Sequence, residues 1–142
     1  MSADIFIPAR TSGHGQFTVD IDHEKAGWGY SGLRVVELEA GASQALETGD
    51  SELLVLPLTG SATVNVDGRD YELAVRPGVF QAVTDYLYVG RGKELTITST
   101  TGGRFAFPSA VAAKDLPTAY YPKETVRIDL RGAGDCSRQV NN

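Results

Sequence analysis

The residues able to do acid, base, nucleophilic or metal chemistry are few and scattered. The chain has 142 residues, two histidines (His14 and His23) and a single cysteine, Cys136. The histidines are nine positions apart, so they cannot form the His-x-His pair with which one strand grips a metal. Either could titrate near neutrality or close a distant site, but surface or hydrogen-bonded structural roles suit them better. No G-x-S-x-G elbow occurs, and "SGHG" lacks a strand leading into it, which argues against a serine nucleophile. Cys136 has no histidine near it in sequence and no helix start to lower its pKa, so a small buried or half-buried side chain is expected there. Glu47, Asp50 and Glu52 in "ETGDSE" are hard oxygen donors, yet they lack the ligand spacing of calcium loops and read as a solvated acidic turn. "RGAGDCS" supplies Gly132-x-Gly134 without the third glycine or following helix that a pyrophosphate needs. Trp28, Tyr30, Tyr86, Tyr88, Tyr120 and Tyr121 could stack on a sugar ring, and core or interface packing explains them equally well.

Whatever positions these groups is one domain, long enough to bury a core without disulfides. A net charge of -5, with Lys and Arg spread along the chain, leaves no footprint for nucleic acid or anionic membrane. The start "MSADIFIPARTSGHG" has no basic region followed by an apolar run, and no stretch is long and apolar enough to span a bilayer. One thiol excludes an intrachain disulfide. The expected location is cytoplasmic.

Hydrophobicity alternates with period two almost throughout. In "SATVNV", Ala62, Val64 and Val66 share one face and Ser61, Thr63 and Asn65 the other; Tyr71 and Leu73 then resume the apolar face. Between them Asp67-Gly68 suits the positive φ of a type I′ hairpin. Similar runs at "QFTVDI", "LRVVELEA", "ELLVLPL", "DYLYVG", "ELTITST", "RFAFP", "TVRIDL" and Cys136 to Val140 predict about ten short strands. "SAVAAKDL", closed by Pro117, is the sole helical candidate, and a peripheral turn is the alternative. Such a pattern predicts an all-β sandwich or barrel of jelly-roll type with a pocket at one mouth.

Gly41 to Gly60, and then Pro77-Gly78, resemble the two motifs of the cupin superfamily, G-x5-H-x-H-x(3,4)-E-x6-G and G-x5-P-x-G-x2-H-x3-N. Laid on Gly41, the first motif puts Glu47 and Gly49 in the histidine slots and Leu53, beside Glu52, in the glutamate slot. The second puts Gln81 in the histidine slot and Asp85 in the asparagine slot, with one residue fewer between Pro and Gly. An amide is a much poorer donor than imidazole, so no metal is expected in this cupin-type jelly-roll barrel.

The strings "GWGYSGLRVVELEAG", "LETGDSELLVLPLTGSATV", "VFQAVTDYLYV", "GGRFAFPSA" and above all "DLRGAGDCSRQVNN" resemble the N-terminal half of the 5-deoxyglucuronate isomerase family of myo-inositol catabolism. The resemblance runs the length of the chain. It implies a protein of two cupins, the N-terminal one degenerate and the C-terminal one holding a divalent metal such as zinc through histidines and a glutamate. It also implies an aldose to ketose isomerisation of 5-deoxy-D-glucuronate to 2-deoxy-5-keto-D-gluconate. On this reading residues 1–142 are one degenerate, metal-free cupin that is inactive alone and serves as scaffold and interface for a C-terminal catalytic cupin outside this chain. A sugar acid is the small-molecule partner of the intact enzyme. Arg131, Arg138 and Gln139, leading toward the second barrel, are the candidates to reach it, because a guanidinium can pair with a carboxylate; surface ion pairing is the alternative. Two rival readings remain: a stand-alone sugar-binding cupin with a pocket lined by "VFQAV" and "LYVG", and a structural module that forms a homo-oligomer through its strand edges.

Overall fold

The computed structural model of the protein describes residues 6–142; residues 1–5, the start of the stretch read for a targeting segment, lie outside it. In chain order the elements are β1 (Phe17–Ile21), the single-turn α1 (His23–Ala26), β2 (Ser31–Leu38), β3 (Ala42–Glu47), β4 (Ser51–Val66), β5 (Arg69–Arg76), β6 (Tyr86–Val89), β7 (Glu94–Ser99), β8 (Gly103–Val111), β9 (Ala119–Tyr121), β10 (Ile128–Arg131) and β11 (Arg138–Asn141). Every strand pairing is antiparallel.

The organising element is β4. Sequence alternation predicts two strands there, "ELLVLPL" and "SATVNV", but the chain runs through both as one strand of 16 residues. Its first part lies between β8 and β6, and its last part between β5 and β7. The inward face changes parity on the way: Leu53, Val55 and Pro57 are buried before the change, and Ala62, Val64 and Val66 after it. Irregular register between Pro57 and Thr59 against β8, and between Gly60 and Ala62 against β5, absorbs the extra residue, as β-bulges do. Gly60 has φ 83°, and a Cβ there would strike the carbonyl of Gly102, so only glycine fits the bend. The strand can therefore serve two sheets. One is the path β1-β2-β8-β4-β6-β9 and the other joins β3, β7, β4 and β5; through β4 the two are continuous as one nine-stranded sheet.

Between the sheets Val36, Val55, Val64, Leu87, Val89, Ile97, Phe105 and Phe107 are fully buried. The Asp67-Gly68 hairpin forms with φ 50° and 83° and pairs Val66 with Arg69. Arg76 is buried at the end of β5 and donates to the carbonyls of Ala82 (2.9 Å) and Pro57 (2.7 Å). It thereby satisfies the Ala82 carbonyl of the β5–β6 loop and ties that loop to Pro57 beside the β4 irregularity.

Two strands are not apparent from sequence alternation. β3, "ASQALE", is rich in helix formers, yet all six residues pair with β7 and Leu46 is buried, so tertiary pairing overrides propensity. β9 is a three-residue strap that pairs with β6, where the Tyr86 and Tyr121 rings stack at 4.9 Å. "SAVAAKDL" is not helical: it finishes β8 and passes into turns, since Ser109 to Val111 already pair with β2 or β4. β10 and β11 form a separate two-stranded sheet with exposed Ile128 and Leu130.

Candidate functional site at the open end of the barrel

Cross-strand rows show how the interior changes along the barrel. Deep inside, Val36 of β2 faces Phe105 of β8, which faces Pro57 of β4; all three are buried. The next inward residue of β2 is Arg34, opposite Phe107. The outermost row is Gly32, Ser109 and Leu53. Apolar packing thus gives way to a glycine, a hydroxyl and a guanidinium, and a cavity of about 220 Å³ opens at this end. Ser51, Thr48, Asp20, Asp22, His23 and Tyr30 complete its polar wall.

Each of these groups has a local reason for its place. Arg34 lies with its guanidinium over the Phe17 ring, 5.4 Å from the centroid, and Nη2 donates to the Glu47 carbonyl at 3.3 Å. The stacking holds the planar group and leaves the other N–H donors of its fork without a side-chain hydrogen bond among the described residues; Arg34 lines this cavity and also a second one with Leu46, Glu47 and Glu94. The Thr48 hydroxyl donates to the Gly90 carbonyl (2.9 Å) and accepts from the Lys93 amide (2.9 Å), so it is committed to tying the β3–β4 turn to the β6–β7 turn. Gly32 is in close approach: a Cβ there would sit 2.9 Å from Ser109 Oγ and 3.0 Å from the Ile21 carbonyl. The bare Cα leaves the hydroxyl its room. On the rim, the Asp22 carboxylate accepts from the Lys25 amide at 2.7 Å and starts α1, and left-handed Gly27 ends it. This single turn sets His23, half-buried, against the cavity. Asp20 is flanked by His14 at 3.8 Å and Lys25 at 3.9 Å.

The motif slots read from sequence fall differently in space. Glu47 is exposed, while Leu46 and Thr48 are buried, so the inward register of β3 is one residue away from the one that starts at Gly41. The interior therefore presents Leu46, Thr48 and Leu53. Gln81 is exposed on its loop. Asp85 is buried but occupied: its Oδ2 accepts from the Ala74 amide (2.9 Å) and the Tyr120 hydroxyl (2.7 Å). Among the described residues, no three His, Cys, Asp or Glu side chains come together in a way that could hold a metal ion. A leucine, a committed threonine hydroxyl and a second leucine do not fit a divalent cation.

Arg131, Arg138 and Gln139 are brought together on the β10–β11 hairpin: Arg131 pairs across strands with Arg138, and Leu130 with Gln139. They line a shallow cleft with Gly132 and Ser137, and none of them lines the barrel cavity. Asp129 takes the Arg127 guanidinium bidentately at 2.8 Å, Arg131 at 3.0 Å and the Asn142 amide at 2.6 Å. These bonds, Arg127's first, hold its carboxyl below the usual carboxylate range. Arg131 is thus engaged in an ion pair, and Arg138 reaches the Cys136 carbonyl at 3.4 Å. Cys136 is exposed, not buried as its sequence context predicts, because the hairpin turn carries it outward. The lining foreseen in "VFQAV" and "LYVG" also differs: Leu87 and Val89 are packed in the core and Phe80 is fully exposed. Arg34 left a legible signal, since it shares the inward face of β2 with Val36 and Leu38. Ser51 and Ser109 left none, because only strand pairing makes them neighbours.

An all-β barrel of two sheets sharing one long strand, open and polar at one end, defines a cupin-type fold. The same fold is found in a cupin protein of Bacteroides fragilis, 17% identical, TM-score 0.54, over 82% of this chain and 90% of that one. The KduI/IolB family pattern matches residues 5–142, and the chain belongs to that family. An IolB-like protein from Salmonella typhimurium LT2 superposes with TM-score 0.84 at 26% identity, covering 92% of this chain and 51% of that one. A 5-deoxy-glucuronate isomerase of Geobacillus kaustophilus is 28% identical over 97% of this chain and 51% of its own length. The chain spans about half the length of the curated relatives it matches. Among the described residues no helix is long and apolar enough to cross a membrane.

Proposed function

We propose that this chain is the N-terminal, metal-free cupin of a 5-deoxyglucuronate isomerase, acting as scaffold and interface for a catalytic cupin that carries the divalent metal. The whole protein would convert 5-deoxy-D-glucuronate to 2-deoxy-5-keto-D-gluconate in myo-inositol catabolism, in the cytoplasm. The observation that carries this reading is the inward register of Leu46, Thr48 and Leu53. An aldose–ketose isomerisation needs a base at the carbon next to the carbonyl and an electrophile at the developing enediolate oxygen. At the inward positions nearest the motif's ligand slots the barrel offers two leucines and a threonine hydroxyl already bonded to Gly90 and Lys93, none of which serves as a metal ligand. Family membership and the half-length match to named isomerases support the same division of labour. On this reading the exposed β10–β11 hairpin, with Arg131, Arg138 and Gln139, faces the catalytic half, where Arg138 would pair with the substrate carboxylate.

The test is turnover of 5-deoxy-D-glucuronate by the full-length polypeptide and by residues 1–142 alone, each supplied with zinc or manganese. Isomerisation by the full-length protein only, abolished by a chelator, is the expected result. Chelator-sensitive turnover by the 142-residue chain would overturn the reading.

A further inference from the structure

The open end of the barrel is not accounted for by a scaffold role. A module that only packs against another would be expected to close its interior with apolar side chains at both ends, as the deeper rows here do. Instead Gly32, Ser109 and Ser51 stand where the β2, β8 and β4 strands meet the mouth, with Arg34 one row below. We infer that this mouth binds a small polyhydroxy carboxylate, its carboxylate on Arg34 and its hydroxyls on Ser51, Ser109 and the rim carboxylates. The inference goes beyond the proposed isomerase reading and does not depend on where catalysis occurs.

The chemistry of the wall selects the ligand class. Among the described residues, the one side-chain hydrogen bond of Arg34 goes to the Glu47 carbonyl, which leaves most of a guanidinium's five donors free for a carboxylate. Asp20 and Asp22 accept hydrogen bonds and repel multiple negative charge, so sugar hydroxyls are welcome beside them and a phosphate dianion is not. Leu53 provides an apolar patch for the C–H face of a ring or chain, and His23 and Tyr30 close the rim. A volume of 220 Å³ is below the roughly 300–1,000 Å³ of drug-sized sites, which suits a ligand of sugar-acid size. Neutral polyols lack the carboxylate that Arg34 would pair with, and simple carboxylates lack the hydroxyls.

Residue-resolved NMR titration of the 142-residue chain with D-glucuronate tests this, with myo-inositol, acetate and inorganic phosphate as comparison probes. Saturable shifts confined to the amides around Asp20 to His23, Gly32 to Arg34 and Ser109 are expected. Acetate and myo-inositol should each bind about tenfold more weakly or worse, the value of one lost set of contacts. Arg34→Gln should weaken D-glucuronate about tenfold or more, with Arg34→Lys in between because it keeps charge and loses the planar fork. Ser109→Leu, which fills the cavity, should abolish the shifts while leaving the spectrum dispersed. Shifts that remain linear in D-glucuronate, shifts centred on the β10–β11 hairpin, or tighter binding of phosphate would each overturn the inference. Turnover by the full-length polypeptide is read separately, so failure here leaves the isomerase reading standing, and the reverse.

Discussion

Two regions of this protein present arginine to the outside, and they do so by opposite means. The β10–β11 hairpin sets Arg131 beside Arg138 through a single antiparallel pairing of residues close in sequence, and both remain at the surface. The barrel mouth sets Arg34 beside Ser51 and Ser109, which come from three strands, over the ring of Phe17. In the hairpin Asp129 already answers Arg131 at 3.0 Å. At the mouth the cation is stacked and only partly hydrogen-bonded. A cluster made locally is easy to read from sequence and is readily neutralised by its own neighbours. A site built across a sheet can hold a charge without spending it.

The comparison is broken most directly by stability. Phe105 is fully buried between the sheets, and Phe105→Ala should cost about 3–5 kcal/mol in urea unfolding, whereas Leu130→Ala on the exposed hairpin should stay within about 0.5 kcal/mol. A comparable cost for Leu130→Ala would mean that the hairpin is packed against something in solution.

A smaller effect separates the clamp on the barrel from the ion cluster on the hairpin. The Tyr120 hydroxyl donates to Asp85, and this bond to a carboxylate, with burial, raises its pKa to about 12. Because the folded value is raised, the clamp contributes fully below the unfolded tyrosine value near 10 and is lost as pH climbs through about 12. Tyr120→Phe should cost about 1–2 kcal/mol at neutral pH, since it removes a donor from a buried carboxylate. Tyr88, whose hydroxyl donates to Glu52 at 2.6 Å, is likewise pushed up to about 12, so the variant should show the tyrosinate absorbance step there reduced by one of two tyrosines rather than abolished.

The smallest effect belongs to Asp129. Its folded pKa is depressed, so its contribution is present above the unfolded aspartate value near 4 and disappears as pH falls through the lower folded value. Asp129→Asn should speed amide exchange in Ile128 to Asn141 and leave the exchange of β4 and β8 unchanged. A carboxyl titration of Asp129 at or above the ordinary aspartate midpoint would remove the ion cluster from the account.

Period-two alternation was enough to read the all-β class, the Asp67-Gly68 hairpin, and the inward set Ala62, Val64, Val66 and Leu73, because each depends on residues a few positions apart. It missed β3, whose composition favours a helix, and β9, which is too short to show a period. It also split β4, because Pro57 and Gly60 look like punctuation and instead bend a continuous strand between two sheets. The same one-residue uncertainty in register moved the motif slots, putting Glu47 inward when Leu46 and Thr48 are the buried pair.

The amino-acid sequence by itself determined the strand-rich fold, the family pattern, and the lack of histidines between Gly41 and Asp85, since these are properties of residue type and short spacing. Only the tertiary structure decided where a cavity stands and what lines it. Ser51 and Ser109 are 58 positions apart in the chain and share one cavity wall through β4–β8 pairing, a neighbourhood that no local pattern encodes.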